Sequence, residues 1–349
     1  MAPIRILIAD DSVVARQVVT DALADDPQFE VVGTARNGRL AVEKVAQLAP
    51  NLVILDVEMP EMDGLAALTE IRKVAPHLPV IMLSAFTTRG AAVTVEALAR
   101  GASDYVTKPK TDNLPAAVAA LRAELTPRIV QLCVLGEKRR RRRPASPEAG
   151  LLAPAGRKRP EVVAVGASTG GPNALRELLV GLGRDFPVPL VIVQHMPPMF
   201  TRLLAERLTI ESGLKVAEAA SGDALGRGTV LLAPGDHHMM LARANGSLAV
   251  LLHQGPEVNS CRPSVDVLFK SVAETCGEAA LVVVLTGMGQ DGLAGCARIH
   301  AAGGRVLVQD ESTSVVWGMP GLVAQAGLAH GVVPLEEMAG EIRRVAGNL

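Results

Sequence analysis

The stretch Glu161-Val-Val-Ala-Val-Gly-Ala-Ser168-Thr-Gly-Gly-Pro172 decides how the second half of this chain is read. An apolar run passes without a break into a turn of small residues, and a helical pattern opens at Asn173. A strand, a glycine turn and a helix in that order make a βα unit. Ser168 is then lifted clear of the sheet at the start of a helix. The glycines let other groups approach it, and the helix N-terminus favours developing negative charge. That is a setting for a nucleophile. Gly166-Ala-Ser168-Thr-Gly170 also fits the short G-x-S-x-G pattern, which suits a phosphate-binding turn equally well.

Working outward, apolar strand patterns recur near 162–166, 188–193, 229–233, 248–252, 281–286 and 305–308. Glycine-rich turns and the Ala242–Gly246 segment predict a β-hairpin inserted in the middle. Upstream, residues 4–125 repeat the βα rhythm. Strands are expected at Ile4–Ala9, Phe29–Ala35, Leu52–Val57, Val80–Ala85 and Asp104–Thr107, with helices between them such as Ser12–Ala24 and Arg39–Leu48. Repeated βα units describe a parallel sheet with helices on both faces. Between the halves, Glu137-Lys-Arg-Arg-Arg-Arg-Arg143 and the Pro, Ala, Ser and Gly that follow cannot bury enough apolar surface to order themselves. The expected organisation is α/β throughout. A doubly wound, flavodoxin-like domain over 1–125 is followed by a basic linker over 126–160. A doubly wound, Rossmann-like domain with the hairpin insertion covers 161–349.

The length of 349 residues favours two cores over one. Basic and acidic residues nearly cancel, 35 against 36, so no global attraction to nucleic acid is implied. Every apolar run is shorter than the ~20 residues that span a bilayer, and the N-terminus shows no signal-peptide pattern. Cys133, Cys261, Cys276 and Cys296 lack CxxC or zinc spacing, and are expected to be buried or inert thiols in a reducing cytoplasm.

In an open parallel sheet, ligands gather beyond the carboxyl ends of the strands. In the N-terminal half those ends carry Asp10, Asp11, Asp56, Ser84 and Lys108. Asp10, Asp11 and Asp56 form an oxygen set suited to Mg²⁺, and Lys108 and Ser84 can contact phosphoryl oxygens, which leaves Asp56 as the acceptor. Lys108-Pro109 suits a sharp turn, with a cis bond as one option. In the C-terminal half, His195 directly follows the strand Val188-Pro-Leu-Val-Ile-Val-Gln194, and Asp291 lies in the glycine-rich loop after Leu281–Leu285. Nucleophile, base and orienting acid are thus offered by three strand ends, with Asp310 competing as the acid. Backbone N–H groups around Thr169–Gly171, or in the Gly287–Gly289 loop, are the oxyanion donors on offer. The order Ser, His, Asp differs from the Ser, acid, His order of α/β-hydrolases. Adjacent His237 and His238 have no second ligand cluster to make a metal site.

These residues carry two resemblances. Asp10-Asp11-Ser12, Asp56 with Met59-Pro60 and Asp63-Gly64, Ser84-Ala85 and Lys108-Pro109 closely resemble response-regulator receiver domains over about 1–125. The resemblance implies phosphorylation of Asp56 by a partner histidine kinase, with Ser84 and Tyr105 as the switch pair. The second half resembles the chemotaxis protein-glutamate methylesterases. The carrying segments are Gly166–Gly171, Gln194-His-Met-Pro197, Ala233-Pro-Gly-Asp236 with His238-Met239, Arg262–Phe269, Thr286–Gly292 and Gly318-Met-Pro320. This resemblance implies Ser168, His195 and Asp291 as a triad, with Met288 as an oxyanion-loop backbone donor. It implies γ-glutamyl methyl esters of chemoreceptors as substrate, deamidation of receptor glutamines as a companion reaction, no cofactor for ester cleavage, and a cytoplasmic location. Gln290 departs from the Asn expected before the acid, and Arg139–Arg143 belong to no family motif. A receiver ahead of an esterase also suggests a gate, in which the unphosphorylated receiver covers Ser168 and His195. A DNA-binding output would need a helix-turn-helix and a basic face, and a nucleotide site would need a Walker lysine or G-x-G-x-x-G spacing. Residues 161–349 have neither.

Overall fold

The computed structural model describes residues 2–111, 113–135, 158–244 and 246–347. It divides into two compact units, Met1–Arg141 and Arg142–Leu349. In the first, strands β1 (Ile4–Ala9), β2 (Phe29–Ala35), β3 (Leu52–Asp56), β4 (Val80–Ser84) and β5 (Asp104–Thr107) form one parallel sheet in the order β2-β1-β3-β4-β5. Strands β3 and β4 are buried along their whole length, which is why they read as unbroken apolar runs. Helices α1 (Val13–Ala24) and α5 (Leu114–Val130) pack together, as do α2 (Gly38–Leu48) with α3 (Gly64–Val74), and α3 with α4 (Thr88–Ala99). The strand order reverses between β1 and β3, and such a reversal opens a crevice at the carboxyl ends. Helix α5 continues through the first residues of the stretch assigned to the linker, and a π-helical turn carries it on to Leu135. Arg139–Arg143 lie outside the described residues. The one cis peptide bond among the described residues is Arg262–Pro263, so the turn at Lys108–Pro109 is made with a trans bond.

The second unit holds a seven-stranded parallel sheet and a separate antiparallel hairpin. The sheet strands are β6 (Val162–Ala167), β7 (Leu190–Gln194), β8 (Val216–Glu218), β9 (Val230–Leu232), β12 (Ala280–Val284), β13 (Arg305–Gln309) and β14 (Gly331–Val333). Their order is β14-β13-β12-β6-β7-β9-β8. The chain grows from β6 through β7 in one direction and from β12 through β14 in the other, so the switch point lies between β6 and β12. The hairpin is β10 (His238–Ala244) and β11 (Ser247–His253), turning through Gly246 at positive φ. One set of packed helices comprises α6 (Gly171–Leu182), α7 (Phe200–Ser212) and α11 (Leu335–Val345). A second set comprises α8 (Val265–Cys276), α9 (Leu293–Ala301) and α10 (Met319–Gln325), with the hairpin lying against α8. The alternate residues Val162 and Ala164 of β6, Val191 and Val193 of β7 and Val282 and Val284 of β12 share one core with Met239 and Val250 of the hairpin and Val265 and Phe269 of α8. The hairpin therefore closes one face of the sheet where a further helix would otherwise be needed.

Candidate functional sites

In the first unit the predicted residues meet at the carboxyl ends of β1, β3, β4 and β5. Asp10 and Asp56 are buried and Asp11 is exposed. Their carboxylates, each offering one oxygen, lie within 4.8 Å of one another. Lys108 Nζ bridges the two buried acids, 2.8 Å from Asp10 and 2.9 Å from Asp56. The Lys108 backbone N–H donates to Ser84 O at 2.8 Å, which fixes the β5 end against the β4 end. Asp10 also accepts from Ser12 N–H at 2.8 Å, and Ser12 caps α1. Asp63 caps α3, and Gly64 packs against the Asp56 carbonyl where a side chain has no room. Burial, then the charge of Asp10, push the Asp56 carboxyl up to about 6, although Lys108 pulls it back. Ser84 is buried, with its hydroxyl on Ala85 O at 3.3 Å. Tyr105 is half-buried, and burial followed by Asp104 raises its phenol above the ordinary value. Three carboxylates around a hard-cation-sized space fit Mg²⁺, whose oxygen preference matches this donor set.

In the second unit Ser168 follows β6, His195 follows β7 and Asp291 lies in the loop after β12, so three neighbouring strands deliver them to one sheet edge. His195 Nε2 is 2.9 Å from Asp291 Oδ2. The side chains are 13% and 2% exposed. Asp291 also accepts from Asn259 Nδ2 at 2.9 Å, Ser264 Oγ at 2.8 Å and the backbone N–H groups of Val265 at 2.6 Å and Asp266 at 3.1 Å. The last two are orphan donors at the N-terminus of α8, so the carboxylate caps a helix that Ser264's own side chain leaves uncapped. Burial alone would raise the Asp291 carboxyl, but the His195, Asn259 and Ser264 hydrogen bonds outweigh it and hold the group down at about 2. An ionised Asp291 can only accept, so in the neutral ring His195 Nε2 carries the hydrogen and Nδ1 the lone pair. Burial pulls the imidazolium down, yet the bonds to Asp291 and Cys261 outweigh it and hold His195 up at about 9.

The Ser168 turn is tied to the same frame. Gln194 Nε2 donates to Ser168 O at 3.0 Å, and Ser168 N–H donates to Thr286 O at 3.0 Å. Thr286 Oγ1 donates to Thr169 O at 2.9 Å and accepts from Val316 N–H at 3.0 Å. Gly170 has φ +78° at the start of α6, a conformation that a side chain would strain. A Cβ on Gly287 would lie 2.9 Å from Ser168 Cβ, so only glycine lets this loop approach the serine. The next residue, Met288, has an N–H with no acceptor among the described residues. Ser168 Oγ is half-buried and makes no hydrogen bond to His195. The ring nitrogen left over, Nδ1, instead has Cys261 Sγ at 3.6 Å.

Several expectations change here. Asp310 turns its carboxylate onto Ser312 and Thr313 of its own turn, away from any histidine. His238 is buried, accepting from Ser264 N–H at 3.2 Å and donating to Pro256 O at 3.0 Å. Its neighbour His237 pairs with Gly235 O at 3.2 Å. Cys261, expected to be a buried or inert thiol, is half-buried and lies 3.6 Å from His195 Nδ1. Sequence reasoning also passed over Asn259, Ser264 and Asp266. Asp266 sits in the quoted Arg262–Phe269 segment and receives Asn259 Nδ2 at 3.0 Å and Gly295 N–H at 2.6 Å, linking the acid's loop to α9. A polar Ser and Asp opening an apolar helix pattern was the available signal.

Comparison with known proteins agrees in both units. Residues 163–342 match the family described as CheB methylesterase, and residues 6–119 match the response regulator receiver domain. A protein-glutamate methylesterase/protein-glutamine glutaminase of Trichodesmium erythraeum is 47% identical, covering 99% of this chain and 100% of its own. One of the same name from a Nocardioides species is also 47% identical, covering 99% and 96%. The crystal structure of the Thermotoga maritima CheB methylesterase catalytic domain superposes with a TM-score of 0.52 at 39% identity. It covers 53% of this chain and 98% of that one.

Proposed function

The chain belongs to the CheB methylesterase family, with a response regulator receiver domain ahead of the catalytic domain, and from that premise we propose that it hydrolyses glutamate γ-methyl esters on chemoreceptors under control of phosphorylation at Asp56. The receiver is assigned to about 1–125 and the esterase to about 161–349. The observation that carries the chemistry is the 2.9 Å contact between His195 and a deeply buried Asp291, one strand away from Ser168 at the same sheet edge.

Ser168 Oγ attacks the ester carbonyl, and His195 takes its proton at Nδ1. The oxyanion is held by backbone N–H groups of Thr169 and Met288. His195 then returns the proton to the leaving methoxide, methanol departs, and water repeats the sequence on the acyl-serine to give glutamate. With a glutamine side chain, ammonia leaves in place of methanol, which gives the deamidase reaction. Asp291 keeps Nε2 protonated and the ring oriented. No step calls for a cofactor.

In the receiver, Asp56 accepts a phosphoryl group from a chemotaxis histidine kinase. Asp10, Asp11 and Asp56 would hold Mg²⁺, which offsets the negative charge of the incoming phosphoryl group. Lys108 contacts its oxygens, and Ser84 and Tyr105 report the change. Work on the cytoplasmic segments of such receptors supports a cytoplasmic location for this chain. Among the described residues no helix is long and apolar enough to cross a membrane. The test is methanol release from methylated receptor membranes. Wild-type protein should release it, and Ser168→Ala should abolish release while phosphorylation of Asp56 persists. Near-wild-type release by Ser168→Ala would mean a different nucleophile.

A further inference from the structure

Cys261 stands at the His195 nitrogen that Ser168 needs. Because Nε2–H is committed to Asp291, Nδ1 is the base, and Cys261 Sγ lies 3.6 Å from it. The thiol, imidazole and carboxylate form a continuous chain, with a base beside a sulfur and an orienting acid behind the base. That is the arrangement that activates thiol nucleophiles. Cys261 is half-buried, in contrast to the fully buried Cys296. The other cysteines are placed differently. Cys296 is fully buried, and burial raises its thiol well above the ordinary value. Burial and then Glu161 push Cys276 up to about 11. Cys133 lies against the Asn51 carbonyl at 3.7 Å.

We infer that Cys261 is a peroxide-reactive thiol inside the esterase site, and that its oxidation shuts the site by occupying the His195 nitrogen that accepts the Ser168 proton. The shut-off half of this inference rests on the esterase reading, and the reactivity half does not. The step balances as follows. His195 Nδ1 takes the thiol proton, and the sulfur attacks one oxygen of hydrogen peroxide. The O–O bond breaks, and the departing oxygen carries off the electron pair, takes the proton from His195 and leaves as water. The sulfur is oxidised by two electrons to a sulfenic acid and the peroxide is reduced. The new S–OH extends toward Nδ1 and hydrogen-bonds there, so Ser168 loses its base. A thiol reductant restores the site.

The experiment treats the full-length protein with graded hydrogen peroxide, traps sulfenic acid with dimedone, and reads occupancy at each cysteine by peptide mass. Methanol release is followed in parallel. Cys261 should be trapped at least about tenfold faster than Cys133 or Cys276, and His195→Gln should slow trapping at Cys261 alone. Methanol release should fall in step with Cys261 occupancy and return with dithiothreitol. Cys261→Ala, judged against its own untreated rate, should lose nothing to peroxide. Equal trapping at Cys133 or Cys276, or an intact rate at full Cys261 occupancy, would overturn the inference. Trapping is read by mass, so a protein that releases no methanol would sink the esterase reading while the order of trapping still decides the thiol.

Discussion

The proposed mechanism makes His195 a base, which it cannot be while it holds its proton, and His195 holds its proton well. Its Nε2–H points at a carboxylate kept ionised by the neighbours around it, and the ring is held up at about 9 against an ordinary 6.5. Only the neutral ring can accept from Ser168, so turnover should climb with pH, by about tenfold per unit below the pKa, and level off near 9. A profile that levels off at 6.5 would contradict this placement of Asp291. Asp291→Asn should leave only Cys261 opposing burial, move the rise toward acid pH and lower the plateau by about 10²–10⁴-fold. The same shifts govern stability. A histidine whose pKa rises on folding contributes fully below 6.5 and loses that contribution as pH climbs through about 9. A carboxylate whose pKa falls on folding contributes fully above 3.8 and loses it as pH drops toward about 2. Thermal unfolding of the esterase unit should therefore be most resistant between 3.8 and 6.5 as far as this pair is concerned. Asp291→Asn should flatten both limbs.

Helix α8 is the element on which the acid depends. Its first N–H groups grip Asp291, Ser264 Oγ adds a third bond, and Ser264 N–H is itself oriented by buried His238. Ser264→Ala leaves a buried carboxylate one donor short, and should cost about 1–3 kcal/mol in urea unfolding and raise the pH at which the acid limb set by Asp291 appears. Loss of stability with an unmoved acid limb would mean that Ser264 only caps the fold. Gly287→Ala tests the opposite wall, because its Cβ would meet the sulfur of buried Met319 and lie 2.9 Å from Ser168 Cβ, and the shift it forces should lower turnover and cost about 1–3 kcal/mol in urea unfolding. Such supports were hard to read in sequence for a physical reason. Strands β3, β4, β6, β7 and β12 are buried on both faces, and burial writes itself into a run of Val, Ile and Leu. Strands β8 and β14 have three residues each and are only partly buried, so neither carries the fully buried apolar run that marks the equally short β9, and both are absent from the sequence pattern. Ser168, His195 and Asp291 were visible because each stands next to a strand end. Asn259 and Cys261 sit in an irregular loop whose path is fixed by tertiary contacts. Which nitrogen of His195 faces which partner is a choice of side-chain packing that no spacing records.

At the scale of the whole molecule, two units of similar architecture carry two different chemistries, and each site lies at its own switch point. The link between them has to be energetic. Asp56 is pushed up to about 6 by burial and then by Asp10, with Lys108 as the nearby cation pulling it back. Phosphorylation adds negative charge to a pocket that already crowds two buried carboxylates around one lysine. Lys108 must then divide its contacts differently, and Ser84, whose carbonyl is bonded to the Lys108 N–H, feels that shift. If the receiver restrains the esterase in its unphosphorylated form, a difference of about 1.4 kcal/mol between the two forms is enough for a tenfold change in the active population. The expected outcome in the full-length chain is a rise of about tenfold or more in methanol release with acetyl phosphate and Mg²⁺. Asp56→Asn should hold the rate at its basal value under the same conditions. Equal release with and without the phosphodonor, in a protein whose Asp56 is demonstrably phosphorylated, would show two independent domains on one chain. Activation that survives in Asp56→Asn would move the switch to another residue.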